Sequence, residues 1–109
     1  MTEKLDSILP PEVATQMRPE NIGYRLSLLR RALKLERHEI ADQLGIERTY
    51  WSRFENGKRP VSDSVAALLV ARYGASLDFL ILGRWNSLPL ELAERMREVE
   101  RSGKDNPSK

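Results

Sequence analysis

The spacing of apolar residues along the chain predicts a series of short helices. Between Ile22 and Leu33, apolar side chains recur three or four residues apart, so one stripe of a helix faces a core. No segment has the alternating pattern of a strand, which makes the chain all-α. The predicted helices cover residues 22–33, 36–44, 47–56 and about 63–73, a short stretch after Ser76 through Leu82, and about 89–102.

Small residues mark the ends of these helices. Ser62 and Ser76 each precede a helix, where a hydroxyl can cap the first free N–H groups. Glycines follow the apolar segments. The residue just past a helix end often has a positive φ, which glycine adopts without steric cost. The four predicted stops are Gly45, Gly57, Gly74 and Gly83.

The chain divides into three segments, with one domain at its centre. Residues 1–21 contain three prolines and read as an N-terminal arm with one or two helical turns around 12–17. Residues 22–83 form the domain. Residues 84–109 form a charged amphipathic helix, with Leu92, Met96 and Val99 on one side, followed by a frayed tail. This helix either closes the core of the domain or makes a dimer contact.

Composition excludes several classes of protein. The 109 residues include no cysteine, which rules out a disulfide framework and a thiolate zinc site. No apolar run approaches the roughly 18 residues of a membrane span, and the N-terminus lacks the order of a signal peptide. We therefore expect a soluble, cytoplasmic protein.

The charge is distributed unevenly along the chain. The net charge of +2 is too small to indicate a nucleic-acid partner by itself. Residues 22–60, however, carry nine Lys or Arg against five Asp or Glu, whereas residues 1–21 carry two against four. The basic excess therefore coincides with the helices at 36–44 and 47–56, although ordinary solvated helices also carry such a surplus.

No constellation of residues indicates catalysis. His38 lies four residues before Asp42 on a predicted helix, and the two are expected to form a surface pair. The chain has no glycine-rich phosphate loop and no metal-ligand spacing. We expect no enzyme activity, no cofactor and no metal.

The helix at 47–56 has two distinct faces. At 100° per residue, Glu47, Trp51, Phe54 and Glu55 share one sector, Thr49, Ser52 and Arg53 lie opposite, and Arg48 and Tyr50 lie on the flanks. A polar face of this kind is common on solvated helices. It also suits the major groove, where Arg pairs with guanine and a Thr methyl touches the thymine methyl.

The surrounding sequence resembles a known family of DNA-binding domains. An Arg-Arg pair in the first helix, the run EIADQLGI into a turn, FENGKRP, and the closing YGASLDFLILG occur in order over residues 22–83. This segment is similar to the Cro/CI-type (XRE family) helix-turn-helix domain of lambdoid phage repressors, Cro proteins and small bacterial regulators. The resemblance implies a five-helix lambda-repressor-like domain, with the C-terminal amphipathic helix added to it.

The resemblance also implies roles for individual residues. Base edges would be contacted by Arg48, Thr49 and Arg53, with Ser52 and Tyr50 as neighbours; phosphates would be contacted by Arg37, Asn56, Lys58 and Arg59. Arg30 and Glu55 match positions that form an ion pair in some phage repressors. Glu36 and Glu47 depart from the family, which usually places Ser, Thr or Asn at these helix starts. Trp51 is large for its position and is expected to anchor the core.

Two functions follow from these expectations. The first is a sequence-specific transcriptional regulator, such as a repressor, that binds double-stranded DNA at a pseudo-palindromic operator as a homodimer. Its dimer contact would be the C-terminal helix or the N-terminal arm. The alternative is an antitoxin-like interaction module that binds a protein partner through its terminal segments.

Overall fold

The protein is described by a computed structural model over residues 8–103, and every regular element in that range is helical. The expected all-α fold is therefore confirmed. The first seven residues of the arm and the tail at 104–109 lie outside the described residues. The helices are α1 Pro11–Gln16, α2 Pro19–Ala32, α3 Arg37–Leu44, α4 Arg48–Glu55, α5 Asp63–Tyr73, α6 Leu77–Leu82 and α7 Leu90–Ser102, with a 3-10 turn at Trp85–Ser87 before α7.

Helix α2 is the centre of the molecule. It packs against α4, α6 and α7, and Leu26, Leu28 and Leu29 are fully shielded from solvent. Because these leucines point in different directions around the helix, α2 is covered on several sides. It begins at Pro19, three residues before the predicted start at Ile22. That prediction was wrong because a proline, which lacks an N–H, is compatible with the first turn of a helix.

The helix ends follow the predicted capping residues. The Ser62 hydroxyl accepts the Val65 N–H at 3.2 Å, and the Ser76 hydroxyl accepts the Phe79 N–H at 3.0 Å. All four predicted glycine stops have positive φ, as expected. The end of α2 is the exception, because the left-handed residue after it is Lys34, with φ 62°.

A fifth glycine, Gly23, lies inside α2 and has a different purpose. A Cβ at this position would lie 2.5 Å from the carbonyl oxygens of Phe54 and Glu55. The end of α4 therefore rests directly on the backbone of α2, and only glycine permits that approach.

Helix α7 closes the core of the same domain. Its Leu92 and Met96 are buried, and α7 packs along α2. Before it, Trp85 packs edge-on against Phe79 with ring centroids 4.9 Å apart, and the Arg97 guanidinium lies 3.6 Å from the centre of the Trp85 ring. Of the two roles expected for the C-terminal helix, closing the core of the domain and making a dimer contact, the structure shows the first.

Helix α1 is attached to the domain through a buried arginine. Arg25 of α2 donates hydrogen bonds to the carbonyl oxygens of Gln16, at 2.9 Å, and Leu80, at 2.8 Å. Burial lowers the pKa of the Arg25 guanidinium from its usual value, and the two carbonyl oxygens partly replace the water it has lost. Arg25 thus joins α1 and α6 to α2.

Candidate nucleic-acid interface

Helices α3 and α4 are joined by a three-residue turn, Gly45 to Glu47. The Ile46 N–H donates to the Ala41 carbonyl at 2.9 Å across the left-handed Gly45, which ends α3 and redirects the chain. On the inner side of α3, Ile40, Ala41 and Leu44 are buried. Two helices fixed in this way form the helix-turn-helix pair that the sequence predicts.

The unusual Glu36 at the start of α3 is accommodated by a second glutamate. The Glu39 carboxylate accepts the Glu36 N–H at 2.7 Å, and the Glu36 side chain faces the N–H of Glu39 in turn. This is a capping box built from two glutamates, and its negative charge is favourable at a helix N-terminus.

Helix α4 buries one face and exposes the other. Trp51 and Phe54 are in the core, with their rings edge-to-face at 6.4 Å. Trp51 is therefore a core anchor, as expected. The opposite side carries the expected base-contacting residues: Arg48, Thr49, Tyr50 and Arg53 are exposed, and Ser52 is half-buried.

Glu47 does not lie on the buried face where the helical wheel placed it. It is exposed, and the helix begins one residue later, at Arg48. With φ −59° and ψ 138°, Glu47 is the residue that precedes the helix, so the 100° step does not apply to it. Its side chain makes no capping hydrogen bond.

A buried network fixes the C-terminal end of α4 to the rest of the domain. The ion pair expected between Arg30 and Glu55 is present, with Nε 2.6 Å from Oε2 and both side chains shielded from solvent. The same carboxylate accepts the Trp51 indole N–H at 2.5 Å and the Arg37 Nε at 3.1 Å. Each buried side-chain polar atom in residues 8–103 has a hydrogen-bond partner.

Arg37, expected at a phosphate, is held by this network. Its side chain is 20 % exposed, and besides Glu55 it donates from Nη2 to the Asn56 side-chain oxygen at 3.2 Å. Asn56 itself is exposed at the end of α4. Arg37 thus connects the buried ion pair to a surface residue that was also expected at a phosphate.

Arg48 makes a paired contact that the sequence did not indicate. Its Nε and Nη2 donate to the two carboxylate oxygens of Asp42 at 3.1 and 2.8 Å. These hydrogen bonds lower the pKa of the Asp42 carboxyl and raise the pKa of Arg48, so both groups are charged at neutral pH. The pairing expected between His38 and Asp42 is replaced by the hydrogen bonds from Arg48 to Asp42.

The loop after α4 carries the remaining cations. The Lys58 N–H donates to the Arg53 carbonyl at 2.9 Å across Gly57, whose φ of 72° folds the chain back beside the helix. The Arg59 guanidinium then lies 4.6 Å from the centre of the Tyr50 ring. This cation–π contact brings Arg59 next to the exposed face of α4.

The major groove is wide enough to admit an α-helix, and the exposed face of α4 is flanked by cations. This is the arrangement of a helix-turn-helix DNA-binding domain. No group of acidic, histidine or cysteine side chains that could hold a metal occurs among residues 8–103. In the same range no helix is both long enough and apolar enough to cross a bilayer.

Comparison with known protein families agrees with this class. A family model described as a helix-turn-helix domain matches residues 21–79, which is more than half of the chain. The chain belongs to this helix-turn-helix family, and the resemblance to Cro/CI-type regulators is confirmed at that level. No curated protein and no solved structure gave a match. Helix α7 lies beyond the matched residues.

Proposed function

We propose that the protein is a sequence-specific DNA-binding transcriptional regulator of bacterial or phage type that inserts α4 into the major groove. The observation that carries this proposal is the division of α4 into two faces. Trp51 and Phe54 anchor the helix in the core, while Thr49 and Arg53 face solvent beside the cations of the following loop. Membership of the helix-turn-helix family supports the same function.

The side chains on the exposed face suit base recognition. Arg48 and Arg53 can each pair with guanine O6 and N7, and the Thr49 methyl can contact a thymine methyl. Ser52 and Tyr50 lie beside them as secondary contacts. These residues would determine which sequence is bound.

The loop and the end of α4 suit phosphate binding. Lys58 and Arg59 are exposed cations, and Asn56 offers an amide at the helix end. We assign Arg37 an indirect role, because its guanidinium is hydrogen-bonded to Glu55 and to the Asn56 side chain. Contacts from Lys58, Arg59 and Asn56 to phosphates would supply an affinity that falls as the salt concentration rises and that does not depend on the DNA sequence.

The regulator would act in the cytoplasm as a homodimer and without a cofactor. Domains of this kind bind two half-sites roughly 34 Å apart, so a two-fold dimer requires a pseudo-palindromic operator. The apolar side chain of Leu90, 74 % exposed at the start of α7, is a candidate for the contact between subunits. Measuring the mass of the free protein and of its DNA complex would establish the stoichiometry.

Selection of bound duplexes from a random library tests the proposal. We expect an enriched motif with two-fold symmetry for the wild-type chain and loss of that motif for the Thr49→Ala/Arg53→Ala variant. Equal binding to all duplexes would contradict sequence-specific recognition. A stoichiometric protein partner that is lost on deletion of residues 1–9, which keeps α1 and α2 complete, would then favour the antitoxin-like alternative.

A further inference from the structure

Asp42 accepts hydrogen bonds from only one edge of the Arg48 guanidinium. The two hydrogen bonds use Nε and Nη2, which form the side of the guanidinium plane nearest the rest of the side chain. One N–H of Nη1 and the outer N–H of Nη2 form the terminal edge, which Asp42 does not use. One arginine can therefore pair with a carboxylate and a second planar acceptor at the same time.

The terminal edge has the geometry that guanine requires. Guanine presents O6 and N7 side by side in the major groove, and an arginine pairs with both through two parallel N–H groups. Arg48 is the first residue of α4, at the end of the helix that projects most readily into a groove. A guanidinium fixed there by its other edge would meet the base without having to lose further rotational freedom.

Stability alone does not account for the Asp42–Arg48 pair. The two side chains are 53 % and 64 % exposed, and exposed ion pairs contribute little to folding. A carboxylate on this side of the helix pair also repels DNA phosphates. In a DNA complex Asp42 would therefore weaken general affinity, while its two hydrogen bonds restrict the orientation of one arginine.

We propose that Asp42 is a positioning residue that sets the base preference of Arg48, holding the guanidinium by its Nε edge so that its terminal edge pairs with guanine. This inference rests on the proposed function, because it requires that α4 binds the major groove. Asp42 itself would not contact a base. Its effect would be on the discrimination between base pairs at one position of the operator.

The test measures discrimination and affinity separately in Asp42→Asn, Arg48→Ala and the double variant. Each protein is titrated with the duplex selected by the wild type and with duplexes that carry each other base pair at the position where Arg48→Ala relaxes preference. Asparagine has nearly the same shape as aspartate but presents one acceptor oxygen and no charge. Asp78→Asn makes the same change of charge on α6 and serves as the control. Thermal melting of each variant checks that the fold is retained.

We expect Asp42→Asn to lower the preference for guanine at that position about five- to tenfold, with equal or tighter binding to random duplexes. In the Arg48→Ala background the same substitution should leave the preference unchanged, because Asp42 acts through Arg48. The Asp78→Asn control should keep the wild-type preference.

A preference that stays within about twofold of the wild type, or rises, in Asp42→Asn would overturn the inference. A rise would mean that Asp42 competes with the base for Arg48. These outcomes leave the proposed function intact, provided that the wild type selects a motif and Arg48→Ala relaxes it. Absence of any motif for the wild type would instead refute the proposed function, and the inference with it.

Discussion

The Glu55 carboxylate joins α4 to α2 through Arg30, with Nε and Oε2 2.6 Å apart and both side chains shielded from solvent. Arg37 and Trp51 donate to the same carboxylate. Glu55 therefore has a partner on α2, on α3 and on α4. Glu55 thus fixes the C-terminal end of the proposed DNA-reading helix to both α2 and α3.

Replacing Glu55 with alanine should lower the free energy of unfolding by about 3–5 kcal/mol, because Arg30 is left as a buried charge without its carboxylate. Urea denaturation measures the change. Glu98→Ala is the matched control, since it removes a glutamate whose ion pair with Arg101 is exposed, and it should cost only a small fraction as much. Similar losses for the two variants would contradict the structural role of Glu55.

Gly23→Ala should destabilise the protein by about 1–3 kcal/mol, although alanine is intrinsically the better helix former. The added methyl group would meet the backbone carbonyls of Phe54 and Glu55, which cannot move without shifting α4. Thermal unfolding measures the effect. An increase in stability would show that α2 and α4 are not in backbone contact at this point.

Stability above neutral pH should depend on Tyr24. Its hydroxyl donates a hydrogen bond to Glu100 at 3.0 Å. Partial burial and, to a lesser extent, this hydrogen bond raise the pKa of the phenol above its usual 10.0. The folded state thus favours the protonated phenol, so the contribution is complete below about pH 10 and is lost as pH rises through the folded-state pKa. Denaturation curves between pH 8 and 11 should show a loss that is reduced in Tyr24→Phe. The same loss in both proteins would exclude Tyr24 as its source.

Lys58→Ala should weaken binding to every duplex by a similar factor and reduce the salt slope by about one, as expected for a phosphate contact. Tyr50→Leu should also weaken binding to every duplex, though less, because it removes the ring beneath Arg59, and a change of base preference in this variant would report the secondary base contact proposed for Tyr50. Tyr50→Phe keeps the ring and should retain the contribution of Arg59. Binding isotherms at several salt concentrations distinguish these cases. A change of base preference in Lys58→Ala would contradict its assignment to the phosphates.

Most of the fold could be predicted from the sequence because its signals are local. A serine before a helix and a glycine after it indicate the two ends of that helix without any knowledge of the tertiary structure. Ser62, Ser76 and Gly74 lie at the helix ends where they were expected. The errors occur where a residue type has two uses. Pro19 begins a helix instead of lying in an arm, and Glu47, which precedes α4 at the expected cap position, is exposed instead of lying on the buried face.

The proposed site was less predictable, because its contacts join residues from different helices. The helical wheel identified the exposed face of α4, which depends on one helix alone. The Asp42–Arg48 and Arg37–Asn56 hydrogen bonds depend on how α3 and α4 cross, and no spacing along the chain encodes that angle. Gly23 gave a weak signal, as a glycine inside an apolar-periodic helix, that a backbone approaches there.

The measurement that tests the central claim most directly is the binding of Arg53→Ala to selected and to random duplexes across a salt series. Arg53 is exposed on α4, opposite the buried Trp51 and Phe54. If it reads a base, its loss should reduce affinity for the selected duplex by about 1–3 kcal/mol and relax preference at one position, with a smaller effect on random DNA. An equal loss on every duplex at every salt concentration would contradict base reading by α4.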